Sequence, residues 1–169
     1  MTISQERVHV PGEWDSEPDE REFTSHGLRC VVRRMTHSGH LCGYVGVTKT
    51  HPWYEKHYNV SVKASKELIE RIVNVEKIGV INLLCADRDV ETGMFDLCLL
   101  VDVHGGLTFS SMGKGTYLPK GLWWFGFDCA HCDDLQPQLS FSLGGVYRTC
   151  EYVEGECVSL ARQLAEIKE

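Results

Sequence analysis

The chain has 169 residues, a length that favours one domain with a sizeable hydrophobic core. Hydrophobic residues make up 43% and charged residues 24%, proportions typical of a globular protein and unlike those of a disordered chain. The formal net charge of −7 argues against broad nucleic-acid binding, because such binding needs basic surfaces that neutralise phosphates. We expect neither a transmembrane helix nor a signal peptide, since no suitable apolar run is present. The protein is therefore expected in the cytoplasm, with its eight cysteines as thiols.

The first segment, residues 1–27, is predicted to be a flexible arm. Acidic side chains cluster there around prolines and a glycine, and such a segment cannot bury enough apolar surface to order itself. Two aromatic residues, Trp14 and Phe23, could still fix parts of the arm to the body of the protein. Residues 28–169 are predicted to form a single domain.

The first predicted strands cover residues 28–35 and 40–48, and the short connection between them favours a hairpin. Gly43 and Gly46 lie inside the second strand, which indicates a bulge or a close approach of another backbone or side chain. A helix is predicted over residues 65–77, with Ser65 as its N-cap and apolar side chains at helical spacing.

Later segments predict more strands and a final helix. Apolar runs over 78–86, 95–103, 123–127 and 139–143 are typical of strands. The C-terminal helix is predicted over 149–168. Its apolar stripe consists of Val153, Cys157, Leu160, Leu164 and Ile167, with Thr149 as the N-cap. The stripe favours a helix face packed on a sheet, with a dimer contact as the alternative. These elements together predict an α+β fold with a mainly antiparallel sheet, one inserted helix and a C-terminal amphipathic helix.

Candidate functional residues concentrate in residues 102–110 and 123–134. The consecutive glycines Gly105 and Gly106 would let the backbone approach a ligand, and exposed N–H groups there would favour an anion such as phosphate. Lys114 would supply positive charge to the same ligand. A simple hairpin turn at the glycine pair is the alternative.

The adjacent tryptophans complete the predicted pocket. Because neighbouring residues on a strand face opposite ways, one of Trp123 and Trp124 is expected in the core, and the other could stack on a planar ligand. His131 and Asp134 would then read the polar edges of a nucleobase. The predicted ligand-binding residues are His104, Gly105, Gly106, Thr108, Lys114, Trp123, Trp124, Asp128, His131 and Asp134.

Two kinds of chemistry remain as alternatives at these residues. Cys129, His131 and Cys132 carry the ligand types that zinc prefers, although the second half of a structural zinc motif is missing. Cys129 could also act as a nucleophile with His131 or His104 as its base and Asp128 or Asp102 behind it. No spacing fixes either arrangement, so no catalytic residue is assigned and zinc stays an optional cofactor.

Four motifs resemble an uncharacterised family of small proteins found in phages and bacteria, especially actinobacteria. They are Cys-Gly-Tyr-Val at 42–45, His-Pro at 51–52, His-Gly-Gly-Leu-Thr at 104–108 and Trp-Trp-Phe-Gly-Phe-Asp-Cys-Ala-His at 123–131. The resemblance covers about residues 40–135, with an insertion near 62–95 that shorter members lack. It implies no activity, and its phage association implies action on host defence or metabolism.

These observations favour a binding protein that captures a small nucleotide-derived ligand. As a phage-type homo-oligomer, such a protein would sequester a host immune signal. The alternative is a hydrolase or transferase that depends on Cys129 and His131 or on zinc. A third hypothesis is an interaction protein that uses the acidic arm and the C-terminal helix.

Overall fold

The computed structural model describes residues 11–72, 86–139 and 144–168. In chain order, the strands and helices are β1 (Glu20–Ser25), β2 (Leu28–Arg34), β3 (Leu41–Val47), β4 (Ser61–Lys63), α1 (Lys66–Ile72), β5 (Arg88–Asp89), β6 (Met94–Asp96), β7 (Phe109–Met112), β8 (Trp123–Asp128) and α2 (Cys150–Ala165). One sheet has the order β1-β2-β3-β8-β7 and a smaller sheet has the order β4-β6-β5. All strand pairs described within these sheets are antiparallel, which confirms the predicted α+β class.

The C-terminal helix α2 packs on the larger sheet, chiefly against β2 and β3. Its apolar residues Val153, Cys157, Leu160 and Leu164 are completely buried. The predicted amphipathic stripe is therefore an internal face of the chain, as expected for a helix on a sheet. The predicted cap is also confirmed, since the side chain of Thr149 accepts a hydrogen bond from the backbone N–H of Tyr152.

A glycine in the central strand sets how closely α2 approaches the sheet. A Cβ atom on Gly43 would lie 2.4 Å from a ring carbon of Phe127 and 2.6 Å from the sulfur of Cys157. Both distances are too short for real contacts, so the helix and its neighbours occupy the space that a side chain would need. The close approach predicted at Gly43 is confirmed.

Residues 20–25 differ from the expectation of a flexible arm, because they form strand β1 at the edge of the sheet. Their acidic side chains face arginines of β2: Glu22 pairs with Arg29 at 2.6 Å, and Glu20 pairs with Arg33. The connecting residues His26 and Gly27 both have positive φ, as a two-residue hairpin turn requires. Pairing with β2, the packing of Phe23 on the core and these charge pairs thus order a segment whose composition suggested disorder.

A partly buried glutamate, Glu17, fixes the preceding part of the arm. One carboxylate oxygen of Glu17 accepts a hydrogen bond from the backbone N–H of Cys150 at 2.8 Å, at the start of α2. The other oxygen lies 3.2 Å from the Arg34 guanidinium and accepts a hydrogen bond from the Tyr147 hydroxyl. Trp14 packs edge-on against Tyr147 with 5.1 Å between ring centroids. Trp14 therefore holds the arm to the body as predicted, and Phe23 packs against the main core.

The strand predicted over 95–103 is wrong beyond its second residue. Strand β6 ends at Asp96, whose carboxylate accepts hydrogen bonds from the Ser61 hydroxyl and from the backbone N–H of Asp87. A 3₁₀ turn follows over Leu97–Leu99, and its side chains are buried on every side. Because the apolar run is enclosed, its composition does not distinguish a strand from a turn.

The other predicted elements are confirmed as far as they are described. The helix predicted over 65–77 is present as α1, and the Ser65 hydroxyl accepts a hydrogen bond from the backbone N–H of Leu68. Residues 73–85 and 140–143 lie outside the described residues, and with them most of the strands predicted over 78–86 and 139–143. Within the described ranges, no helix has the length and hydrophobicity to cross a membrane.

Gly43 and Gly155 offer a matched pair of alanine substitutions. We expect Gly43→Ala to lower the free energy of unfolding by about 1–3 kcal/mol, because the new methyl group would overpack a filled interface. Gly155→Ala lies on the exposed side of α2, where a Cβ meets no atom within 4 Å. That variant should raise the free energy of unfolding by up to about 1 kcal/mol through better helix propensity. Chemical denaturation tests both signs, and a stabilised Gly43→Ala variant would contradict the close approach.

Glu17 should contribute to stability although it lies in the acidic arm. We expect Glu17→Ala to lower the free energy of unfolding by about 1–3 kcal/mol, because Arg34 and the start of α2 lose their acceptor. Glu13→Ala, at an exposed position of the same segment, should change it by less than about 0.5 kcal/mol. Equal effects of the two substitutions in thermal or chemical unfolding would argue against a specific anchor.

Candidate functional site

A buried carboxylate, that of Asp134, organises the candidate site. The side chain of Asp134 is only 1% exposed, yet it contacts three basic side chains. Its Oδ2 atom lies 2.8 Å from Nε2 of His104 and 3.3 Å from Nδ1 of His131. Its Oδ1 atom accepts a hydrogen bond from Nε of Arg148 at 2.8 Å. The residues of this Asp134 cluster come from three separate parts of the chain.

The environment of Asp134 keeps its carboxyl ionised. Burial alone would raise the pKa of this group, because a charge loses its water there. Hydrogen bonds from His104, His131 and Arg148 outweigh burial and hold the pKa of Asp134 well below its usual range. In turn, the hydrogen bond with Asp134 raises the pKa of His131 against the opposing effect of burial.

Helix α2 holds His104 through two side chains one turn apart. The backbone N–H of His104 donates to the Glu156 carboxylate at 2.7 Å, and Nδ1 of His104 lies 3.0 Å from the Tyr152 hydroxyl. Residues four positions apart share a helix face, so Tyr152 and Glu156 approach the same loop. The other ring nitrogen of His104, Nε2, therefore faces Asp134.

The glycine pair forms the surface on which His131 rests. A Cβ atom on Gly105 would lie 1.9 Å from a ring carbon of His131, and Gly105 has a φ of 67°. The N–H of Gly106 donates to the carbonyl of Val103 at 2.8 Å, which closes a turn. This arrangement agrees with the alternative of a turn and places the Gly106 N–H in the turn, where it is not free for phosphate.

Three side chains of the Asp134 cluster have the donor types and spacing of a metal site. The ligand atoms of His104, His131 and Asp134 all lie within 4.8 Å of one another. Zinc–ligand bonds of about 2.0–2.2 Å separate neighbouring ligand atoms in a tetrahedral site by about 3.3 Å, close to the separations observed around Oδ2. The side chains of His104 and His131 remain 12% and 28% exposed, so two of the three ligand residues reach the surface.

Asp128 and Thr108 lie at the edge of this arrangement and bond to each other. The Thr108 hydroxyl donates to one oxygen of Asp128 at 2.7 Å, and the other oxygen accepts the N–H of Ala130 at 3.1 Å. Asp128 also helps to raise the pKa of His131 by its charge. These contacts order the loop that carries His131.

The tryptophans and Lys114 do not join the Asp134 cluster. Trp124 is completely buried and donates from its indole nitrogen to the carbonyl of Pro119, whereas Trp123 is 6% exposed and donates to the carbonyl of Lys56. Both indoles are buried, which does not favour the predicted stacking, and the stacking stays a prediction. Lys114 follows β7 beyond the pairing of Met112 with Trp123, at the opposite end of β8 from His131.

The environment of Cys129 does not favour the predicted cysteine chemistry. Cys129 is 1% exposed, and burial raises the pKa of its thiol well above the usual value. A thiol in that state is a poor nucleophile and a poor zinc ligand. Cys132 is exposed and lies outside the three-donor group. Asp102, the other carboxylate considered for this chemistry, is held in place by the Gln163 side chain, which forms hydrogen bonds with both the backbone N–H and the carbonyl of Asp102.

Sequence reasoning missed Arg148, Tyr152 and Glu156, all from the C-terminal segment. One signal was present: Glu156 directly precedes Cys157 of the apolar stripe and is buried beside it. A carboxylate at the margin of a buried helix face needs a partner, which here is the backbone of His104. Nothing in the local pattern around Arg148 distinguished it from a surface arginine.

Two cavities lie elsewhere in the described part of the chain. The larger, about 1040 Å³, lies between residues 52–68 and the end of α2. The smaller, about 310 Å³, lies between the arm, Arg34 and Pro137. The predicted ligand-binding residues line neither of them, so the predicted nucleobase pocket coincides with neither cavity.

Comparisons with models of protein families, with curated proteins and with solved structures give no match for this chain. The resemblance to a phage and bacterial family therefore stays a prediction, and the function must be argued from the Asp134 cluster itself.

Asp134→Asn tests the cluster in the metal-free protein, kept with a chelator. Near pH 6 we expect the variant to lose roughly 1–3 kcal/mol of unfolding free energy, because basic side chains lose their counter-ion. This difference in unfolding free energy between wild type and variant should shrink below about pH 4. The pKa of Asp134 is lower in the folded than in the unfolded chain, so its ionised form stabilises the fold, and acid removes that stabilisation by protonating the carboxyl group. The difference should also shrink as the pH rises well above about 6.5, where His131, with its raised pKa, gives up its proton.

Chemical denaturation at several pH values measures this deficit. Asp133→Asn is the matched control, because Asp133 is the exposed neighbour of Asp134. A deficit that does not vary with pH, or one equal to that of the control, would contradict the electrostatic account.

Proposed function

We propose that this chain is a zinc-dependent hydrolase whose metal is held by His104, His131 and Asp134. The observation that supports the proposal is the convergence of three ligand atoms within 4.8 Å on a partly exposed face. Catalytic zinc sites use three protein ligands and an open position, whereas closed structural sites use four. Two histidines and one carboxylate are a donor set of the catalytic kind.

Neighbouring side chains would hold these ligands in place before the metal binds. With zinc on Nε2 of His104, the proton of that ring lies on Nδ1, which can donate to the Tyr152 hydroxyl oxygen. Arg148 binds Oδ1 of Asp134, and the backbone N–H of His131 donates to Oδ2 at 3.0 Å, so the metal would take the remaining lone pair of Oδ2. Partners of this kind set the orientation of metal ligands and commonly change metal affinity by about 10–100-fold.

A zinc ion held by these three side chains would keep one coordination position open for a water molecule. Bound zinc lowers the pKa of water to about 7, which supplies hydroxide at neutral pH. Held by His104, His131 and Asp134, the metal would thus supply the nucleophile for hydrolysis at a carbonyl or phosphoryl centre, and the proton given up by the water would be available to the leaving group.

The first test of the proposal is the metal content of the full-length chain. We expect about one zinc ion per chain by elemental analysis, and its loss in His104→Ala, His131→Ala and Asp134→Ala. His57→Ala is the matched control, because His57 is exposed and outside the three-donor group. The control variant should keep the metal.

Cobalt replacement separates this site from the cysteine alternative. A site of nitrogen and oxygen ligands gives cobalt d–d bands without the thiolate charge-transfer bands that cysteine ligands add. Thiolate bands that vanish in Cys129→Ser and Cys132→Ser would contradict the proposal. A wild-type chain that takes up no zinc after metal removal and reloading would do the same.

Capture of a nucleotide-derived ligand is the second candidate function. It is favoured by Arg148 and His131, which bring a cation and a group of raised pKa to one exposed edge of an acidic chain. In that case the protein would be a cytoplasmic homo-oligomer of phage origin that sequesters a host immune signal. Native mass spectrometry with cyclic and ADP-ribose-type nucleotides distinguishes the two candidates. Release of an intact nucleotide supports capture, and recovery of an altered one supports hydrolysis.

A further inference from the structure

We propose that Arg148 binds a phosphoryl group and so makes phosphate esters the substrate class of this site. The inference rests on the proposed metal site, because the phosphoryl group would bridge Arg148 and the metal. Arg148 uses Nε to reach Asp134, while its two terminal amino groups have no hydrogen-bond partner among the described residues. Its side chain is 25% exposed.

The two oxygens of Asp134 place Arg148 next to the metal position. Oδ2 faces the two histidines, and Oδ1 faces the guanidinium. The metal position and Arg148 are thus separated by a single carboxylate group. A phosphoryl group carries several oxygens, so one could bind the metal while another accepts hydrogen bonds from Arg148.

The guanidinium is held in a fixed plane. Besides the hydrogen bond to Asp134, Arg148 lies over the Tyr152 ring at 5.1 Å from its centroid. The hydroxyl of the same tyrosine contacts His104, so one side chain supports both a metal ligand and the arginine. A planar guanidinium with free amino groups matches the oxygens of phosphate better than a flexible ammonium does.

Other roles for the free amino groups have less support. The nearby carboxylates are already used: Asp128 bonds to Thr108 and Ala130, and Glu156 bonds to the backbone of His104. A neutral amide or ester would offer negative charge to this cation only in the transition state, as an oxyanion forms, whereas a phosphate ester also offers it in the bound substrate. A phosphoryl group retains negative charge on the oxygens that do not bind the metal, and such charge is what Arg148 can stabilise.

Inorganic phosphate is the probe for this inference, measured by calorimetry on the zinc-loaded full-length chain. We expect Arg148→Gln to weaken phosphate binding by about tenfold or more, because hydrogen bonds to a charged group are lost. Arg148→Lys should recover part of the affinity, since a point charge remains without the planar geometry. Arg162→Gln is the matched control on α2: Arg162 is 49% exposed and pairs with Glu166. It should bind phosphate like the wild type.

Zinc content and the cobalt spectrum of each variant separate this inference from the proposed function. If Arg148→Gln keeps its zinc and binds phosphate as tightly as the wild type, the inference is overturned. It is also overturned if acetate competes as strongly as phosphate, because the site would then recognise carboxylates. If the wild type binds no zinc, the proposed hydrolase fails. Phosphate binding to the metal-free chain that still depends on Arg148 would in that case support Arg148 as the phosphate-binding residue.

Discussion

The arrangement around Asp134 depends on compensation of one buried charge. An ionised carboxylate at 1% exposure is costly to remove from water, and it persists here because three basic side chains surround it. Those partners come from the loop before β7, from the loop after β8 and from the residues that lead into α2. The carboxylate therefore joins the two loops at one end of the β7–β8 pair to the residues that lead into α2, which the isolated bridge between Asp134 and Val146 also connects.

Helix α2 links the stability of the fold to the geometry of the site. One face of the helix fills the core, where Val153 and Cys157 are completely buried against the sheet. The residues directly preceding them in sequence, Tyr152 and Glu156, hold the loop that carries His104. A shift of the helix on the sheet would thus move the support of His104 as well. Gly43 limits such a shift, because the helix already lies against its backbone.

Local pattern was sufficient to predict β2, β3, β8 and α2, since their periodicity and caps are properties of neighbouring residues. It also predicted His104, His131 and Asp134 as binding residues, although for a nucleotide-derived ligand, and it gave Cys129, His131 and Cys132 as the zinc candidates. Local pattern could not show that Trp124 and Cys129 are buried, because burial depends on what packs against them. It could not find Arg148 or Glu156 either, which reach their partners across 14 and 52 residues of chain. Strand β1 was missed because its acidic side chains are compensated only in the register of the hairpin.

The close contact between Gly105 and His131 limits which mutations the gene can tolerate at codon 105. Every missense change of its codon adds a Cβ atom, which would lie 1.9 Å from the ring of His131. The φ of 67° at this position is also one that residues other than glycine rarely adopt. In a deep mutational scan, we expect no other amino acid to be tolerated at position 105, although glycine itself has no reactive side chain. Codon 121, whose glycine has a similar φ of 85° but nothing within 4 Å of a Cβ, should tolerate asparagine or aspartate. The contrast between the two codons would be a genetic signature of the histidine that rests on Gly105.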